Sequence, residues 1–197
     1  MKKTISILVL VTLVIIAGVM FRKHNSTSKL PVLSYGTFMF APLNGNGQSI
    51  TYPLIFTDIT SDVNTVAFRA PLINTFDVFI EVTKEPTTKA EKDKTELISR
   101  SWVSEGSRTT RNGYVGEVLS ADSKAHPIAG EKDCGISYLY TIPLADKSNS
   151  LNVLIEISDP KWGSNGNSND CTLWNDTNYL YFKEMIKNVF DGVEPRN

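Results

Sequence analysis

Histidine and cysteine are nearly missing from this chain, with two of each in 197 residues. A structural zinc site needs four ligands of mostly these types, and His24 and His126 do not supply them, so no metal is expected. No Gly-Lys-Ser/Thr follows the glycine-rich stretch "NGNG", which excludes a phosphate-binding loop. No G-x-S-x-G elbow occurs, and there is neither an internal repeat nor a low-complexity tract. Excess positive charge is also lacking. Four of the 20 basic residues lie at or before Lys23, which leaves 16 against 21 acidic residues, or about −5, over the rest of the chain. Phosphate backbones are held by basic surfaces, so nucleic acid is not an expected partner. No motif demands a cofactor.

What is present begins with "MKKTISILVLVTLVIIAGVMFRKH". Its apolar run from Thr4 to Phe21 would reach roughly 27 Å as a helix, close to the hydrocarbon thickness of a bilayer. A cleaved secretory signal has a shorter run and a small-x-small cleavage site after it, and Ile15 and Ile16 precede Ala17 and Gly18 here. The expectation is an uncleaved signal anchor, with a cleaved signal as the alternative. No cysteine follows the run, so a lipoprotein anchor is excluded. The division that results is residues 1–24 as transmembrane segment, 25–33 as polar tether and 34–197 as one extracytoplasmic domain. Two cysteines beyond the anchor, Cys134 and Cys171, read as one disulfide on an oxidising side of a membrane, with two buried free thiols as the alternative. The expected place is the inner membrane, single-pass, with a periplasmic C-terminal domain.

Within that domain "YGTFMFAP", "ITYPLIFT", "NTVAFRAP" and "FDVFIEVT" read as strands. In the last, Phe76, Val78, Ile80 and Val82 share one face. "TKAEKDKTELISRSW" carries Ala90, Leu97, Ile98 and Trp102 at helical spacing behind a capping box, Thr88 to Glu91. Three more strands follow in "GYVGEVLSAD", "GISYLYTIPL" and "LNVLIEIS". The faces Ile136, Tyr138, Tyr140, Ile142 and Leu151, Val153, Ile155, Ile157 are predicted to point to a core. A closing helix carries the stripe Phe182, Met185, Ile186, Val189 and Phe190. The expected fold class is α+β: a mostly antiparallel sheet of about seven strands with two packing helices, preceded by one transmembrane helix.

The segments "VAFRAPLINTFDVFIEVT", "NGYVGEVLSAD", "GISYLYTIPL" and "FKEMIKNVF" together resemble, in pattern, the PsbP-like superfamily of α/β/α sandwich domains. That resemblance implies a binding or scaffolding role, since such domains are mostly non-enzymatic partners of larger assemblies.

Four groups of residues invite a chemical reading. Ser120, Asp122, Ser123 and His126 gather triad types in one loop, but a triad needs its base held between nucleophile and acid. Asn165, Asn167, Asn169, Asp170 and Asp176 offer oxygens to a hard cation without the order of an EF-hand. Asp58, Asp62, Glu81, Glu117 and Asp122 are the carboxylates from which an envelope hydrolase would draw a pair. Arg100, Trp102, Arg108, Arg111 and Tyr114 crowd arginine and aromatics into fifteen residues, the composition of interface hot spots, placed by the sequence at a helix end and the loop after it. The functional expectation is a membrane-tethered module that binds a protein or envelope ligand through these five residues, an immunity-type protein being its specific form and a carboxylate-pair hydrolase its alternative.

Overall fold

The computed structural model describes residues 33–40, 48–53, 56, 58–61, 64–70, 76–122, 124–125, 134–159 and 171–195. The elements are β1 (Tyr35–Phe40), β2 (Gln48–Pro53), β3 (Asp58–Ser61), β4 (Thr65–Arg69), β5 (Asp77–Pro86), α1 (Thr87–Ser99), β6 (Val103–Thr109), β7 (Val115–Asp122), β8 (Gly135–Pro143), β9 (Asn149–Ser158), α2 (Asp176–Asp191) and β10 (Glu194–Pro195). They form two sheets. One has the order β1-β2-β10, and the other β3-β4-β5-β9-β8-β7-β6 with every neighbouring pair antiparallel.

This corrects the expected fold class in two respects. β1 and β2 leave the main sheet for a small one, and the main sheet reaches seven strands through β3 and β6, which the sequence reading left as loops. The transmembrane helix is the second. Among the described residues no helix is long and apolar enough to cross a membrane: α1 and α2 have 13 and 16 residues, roughly 20 and 24 Å against about 30 Å of hydrocarbon. The run 1–24, like residues 25–32 of the tether, lies outside the described residues.

Period-two alternation divides the main sheet into two faces. Val78, Ile80 and Val82 of β5, Ile136, Tyr138, Tyr140 and Ile142 of β8, and Leu151, Val153, Ile155 and Ile157 of β9 are all buried on the inner face. There they meet Phe182, Met185, Ile186, Val189 and Phe190 of α2 in one core, which also takes in Ile50 of β2. Phe182 sets its ring edge against Phe76 at 5.2 Å, and Phe190 packs on Tyr140 at 5.0 Å. Asn175 caps α2 by accepting a hydrogen bond from the Thr177 N–H at 3.0 Å.

The outer face is only partly covered, by α1. This helix buries Ala90 alone of its residues and leaves Ile98 47% exposed. Polar ties hold it instead: Lys89 pairs with buried Glu85, Asn152 donates to the same carboxylate, and Lys94 pairs with Glu117 of β7. The capping box is not made. The helix starts earlier, after Pro86, with no side-chain cap, and Thr87 spends its hydroxyl on the Lys147 carbonyl at 3.2 Å. Trp102 is not on the helix either. Its N–H closes on the Leu97 carbonyl while Ser101, at φ 72°, donates to Ile98. That is a Schellman stop with serine in the left-handed position usually given to glycine.

β6 is an edge strand with most of its side chains exposed. Its register against β7 shifts between Ser104 and Gly106, and Gly106 takes φ 83° there. An extra residue of this kind is a β-bulge, which bends and twists the strand.

Candidate functional site

The five residues singled out from the sequence do not form one patch. The seven residues of β6, roughly 23 Å of strand, stand between Arg100 and Trp102 on one side and Arg111 and Tyr114 on the other. Arg100 is exposed at the end of α1 and pairs with Glu96 one turn back. Trp102 is half-buried beside it. Reading the segment as helix-then-loop drew these residues together; the edge strand between them separates them.

The other three build the end of the β6–β7 hairpin. Arg108 sits opposite Gly116 in the register. A Cβ at Gly116 would come within 2.5 Å of the Tyr140 ring and 2.6 Å of the Thr141 carbonyl oxygen, so only glycine lets that ring lie against the strand. Tyr140 then donates its hydroxyl hydrogen to the Arg108 carbonyl at 2.8 Å, and burial pushes its phenol up to about 12. Arg108 itself reaches α2, where Nε and Nη2 donate to Asp191 Oδ1 at 3.1 and 2.9 Å. Lys187 donates to the other oxygen at 2.6 Å. Arg108 is therefore a staple between the edge strand and the C-terminal helix.

Partial burial alone would raise the Asp191 carboxyl, but the hydrogen bonds from Lys187 and Arg108, with their charges, outweigh it and hold the group below the usual carboxylate range. A folded pKa below the unfolded value of about 3.9 means that the pair stabilises the fold above that value, and that the gain drains away as pH falls through the depressed pKa. A double-mutant cycle of Arg108→Ala and Asp191→Asn is expected to show a coupling of ~1 kcal/mol at pH 7 that vanishes in acid below the folded pKa. Denaturant titrations at both pH values measure it, and a coupling unchanged in acid would contradict the staple.

The hairpin turn is tightly bonded. Thr110 donates to the Tyr114 carbonyl at 2.8 Å and accepts at its hydroxyl from the Tyr114 N–H at 3.1 Å; Gly113, at φ 86°, donates to the Thr110 carbonyl at 3.0 Å. The Arg111 N–H donates to the Asp191 carbonyl at 2.9 Å, fixing the turn to the end of α2. The Arg111 side chain is exposed, with no hydrogen bond or ion pair to its guanidinium among the described residues. Val115, opposite Thr109 in the register, is 56% exposed. Sequence reasoning missed Val115, because alternation in "GYVGEVLSAD" does not show which valine the sheet leaves uncovered.

The triad types resolve into a structural tie. Asp122, its side chain wholly buried, accepts from the hydroxyls of Tyr138 and Tyr179 at 3.0 and 2.7 Å and from the N–H groups of Lys124 and Ala125 at 3.2 Å each. Lys183 stands 3.6 Å away, 4.3 Å above the Tyr138 ring. Burial, then the Asp122 charge and hydrogen bond, push the Tyr138 phenol well above its ordinary value; burial and the same carboxylate do so for Tyr179. Both hydroxyls are thereby fixed as donors. Ser120 donates to Glu105 at 2.5 Å rather than to an imidazole; Ser123 and His126 lie outside the described residues. So do Asn165, Asn167, Asn169, Asp170 and Asp62. Asp176 pairs with Lys124 at 2.7 Å.

The hydrolase carboxylates are dispersed. Glu81 and Glu117 lie on the outer face of β5 and β7, three strand spacings or roughly 14 Å apart across the sheet and two residues out of line along it; Asp122 faces inward, and Asp58 opens β3. A carboxylate that the sequence did not single out, Glu156, is raised above the usual range by burial and by the charge of Glu81. These two stand on the open half of the sheet. A cavity on that face, about 320 Å³, is lined by Thr60, Ala67, Arg69 and Phe79 and, among the described residues, by no carboxylate.

Cys134 and Cys171 are joined in a disulfide. Among the described residues no group of His, Cys, Asp and Glu is placed to hold a metal ion.

No family model matches the chain, and no curated protein matches it. Among solved structures it is similar to the 1.9 Å crystal structure of the Saccharomyces cerevisiae Ran-binding protein Mog1p, at 11% identity and a TM-score of 0.48, over 83% of this chain and 96% of that one. A likeness at this level carries nothing over to this chain.

Proposed function

We propose that this domain is an extracytoplasmic protein-binding module and that the tip of the β6–β7 hairpin is its contact surface. The observation that carries the proposal is the contrast between Arg108, consumed by Asp191, and Arg111, which is exposed and uncommitted, on the same hairpin as exposed Val115, in a turn held by four backbone and side-chain hydrogen bonds. The bonded backbone of the turn is already ordered before a partner docks, and arginine is among the residues enriched at interface hot spots. The buried disulfide supports an oxidising compartment, and the pattern resemblance to PsbP-like domains points to a partner role rather than to catalysis. An assembly factor and an immunity-type protein that captures a toxin are both forms of this reading, and a toxin gene beside this one would favour the second.

A photo-crosslinking residue at Asn112 of the full-length chain, expressed in its native cells, is expected to yield a discrete adduct. The same residue at Lys92, exposed on α1, serves as control. The adduct should disappear when Arg111→Ala and Val115→Ser are combined. Equal labelling from both sites, or none from Asn112, would reject the hairpin as the contact surface.

A further inference from the structure

Resting on that reading, we infer that the hairpin tip takes an acidic partner, whose carboxylate docks on Arg111 while an apolar group covers Val115. The domain as a whole is acidic, at about −5 beyond residue 24, yet three cations, Arg108, Arg111 and Lys187, belong to residues that are bonded to Asp191 at the end of α2. Two of them bind that side chain, Arg108 at 2.9 Å and Lys187 at 2.6 Å. The third is tied to the same residue only through its backbone N–H, at 2.9 Å, so its planar fork of donors faces solvent.

A guanidinium binds a carboxylate through two parallel N–H···O bonds, with a geometry that an ammonium does not reproduce. Arg108 and Lys187 do not compete for the ligand, because Asp191 already holds them, and against its single negative charge they leave this cluster with a net positive charge. Acidic charge elsewhere on the domain repels an extended polyanion such as nucleic acid, while a compact acidic surface needs to approach this corner alone. Immobilising the turn costs nothing further on binding, since Thr110, Gly113, Tyr114 and Tyr140 already bond it.

The test is a nitrogen-15 amide titration of the full-length chain with hexaglutamate, hexalysine and inorganic phosphate at matched ionic strength. Hexaglutamate is expected to shift the amides of Arg111, Asn112, Gly113 and Val115, to weaken as salt is raised, and to bind about fivefold more weakly to Arg111→Gln; hexalysine should leave these amides in place. Absence of a shift, an equal shift in Arg111→Gln, or a stronger response to phosphate than to hexaglutamate would each overturn the acidic partner. If the Asn112 adduct persists while the titration fails, the hairpin remains the contact surface and only the chemistry assigned to its partner falls; loss of the adduct as well removes both.

Discussion

A chain ended at Asp176 is expected to lose cooperative unfolding altogether. The deletion removes α2 with Phe182, Met185, Ile186, Val189 and Phe190, none more than 3% exposed. At ~1.5–3 kcal/mol for each large side chain buried, the loss is roughly 8–15 kcal/mol, as large as the whole net stability of an ordinary domain. Two further injuries accompany it. Asp122 loses Tyr179 and Lys183, leaving a buried carboxylate short of partners, and Arg108 loses Asp191. Near-ultraviolet circular dichroism and a thermal melt decide the matter: a truncated chain with native aromatic signals and a sharp transition would show that α2 is an appendage rather than half of the core.

Reduction of the Cys134–Cys171 bond is the second large effect. The two cysteines are 37 residues apart, and closing a loop of that length removes denatured-state entropy worth ~4 kcal/mol in the chain-entropy model. For a domain of this size the melting temperature should fall by about 10 °C. The bond joins the start of β8 to the entry of α2, where Asp159 donates its N–H to the Cys134 carbonyl and accepts from the Thr172 hydroxyl at 3.0 Å, so loosening should begin at that end of the helix. Both cysteines are buried, at 4% and 7% exposure. Alkylation followed by intact-mass measurement should therefore find no thiol in the native or the denatured protein until a reductant is added. A doubly alkylated native protein, or a Cys134→Ser, Cys171→Ser variant that melts at the wild-type temperature, would refute the prediction.

The strongly periodic segments were legible because burial enforces their period. The inner faces of β5, β8 and β9 and the stripe of α2 are buried residue by residue as the alternation and the helical spacing imply. α1 was legible as a helix but not in its role. Leu97 and Ile98 fit an apolar stripe, yet the helix is held by lysine–glutamate pairs with the sheet and buries Ala90 alone. Pairings of that kind link residues such as Lys94 and Glu117 that no window of sequence brings together. β6 escaped notice because "VSEGSRT" has no alternation and, after Val103, no large apolar residue; its pairing with β7, and not its composition, makes it a strand. Of the candidate site, the sequence could point to arginines near aromatics, but only the third dimension assigns Arg108 to Asp191 and leaves Arg111 uncommitted. The Asn-Gly pair at 112–113 carried a local signal for the β6–β7 hairpin that the helix-then-loop reading left unused.

The bulge at Ser104–Gly106 has a consequence for how the protein survives at high concentration. A flat edge strand offers its unpaired N–H and C=O groups to any other extended chain, and sheets then grow edge to edge into insoluble material. Here the shifted register and the left-handed Gly106 break the straight row of peptide groups midway along β6. Arg108 and Glu105 place charge on the same strand. A second copy cannot continue the ladder past that break, so this edge does not seed a sheet that grows copy by copy.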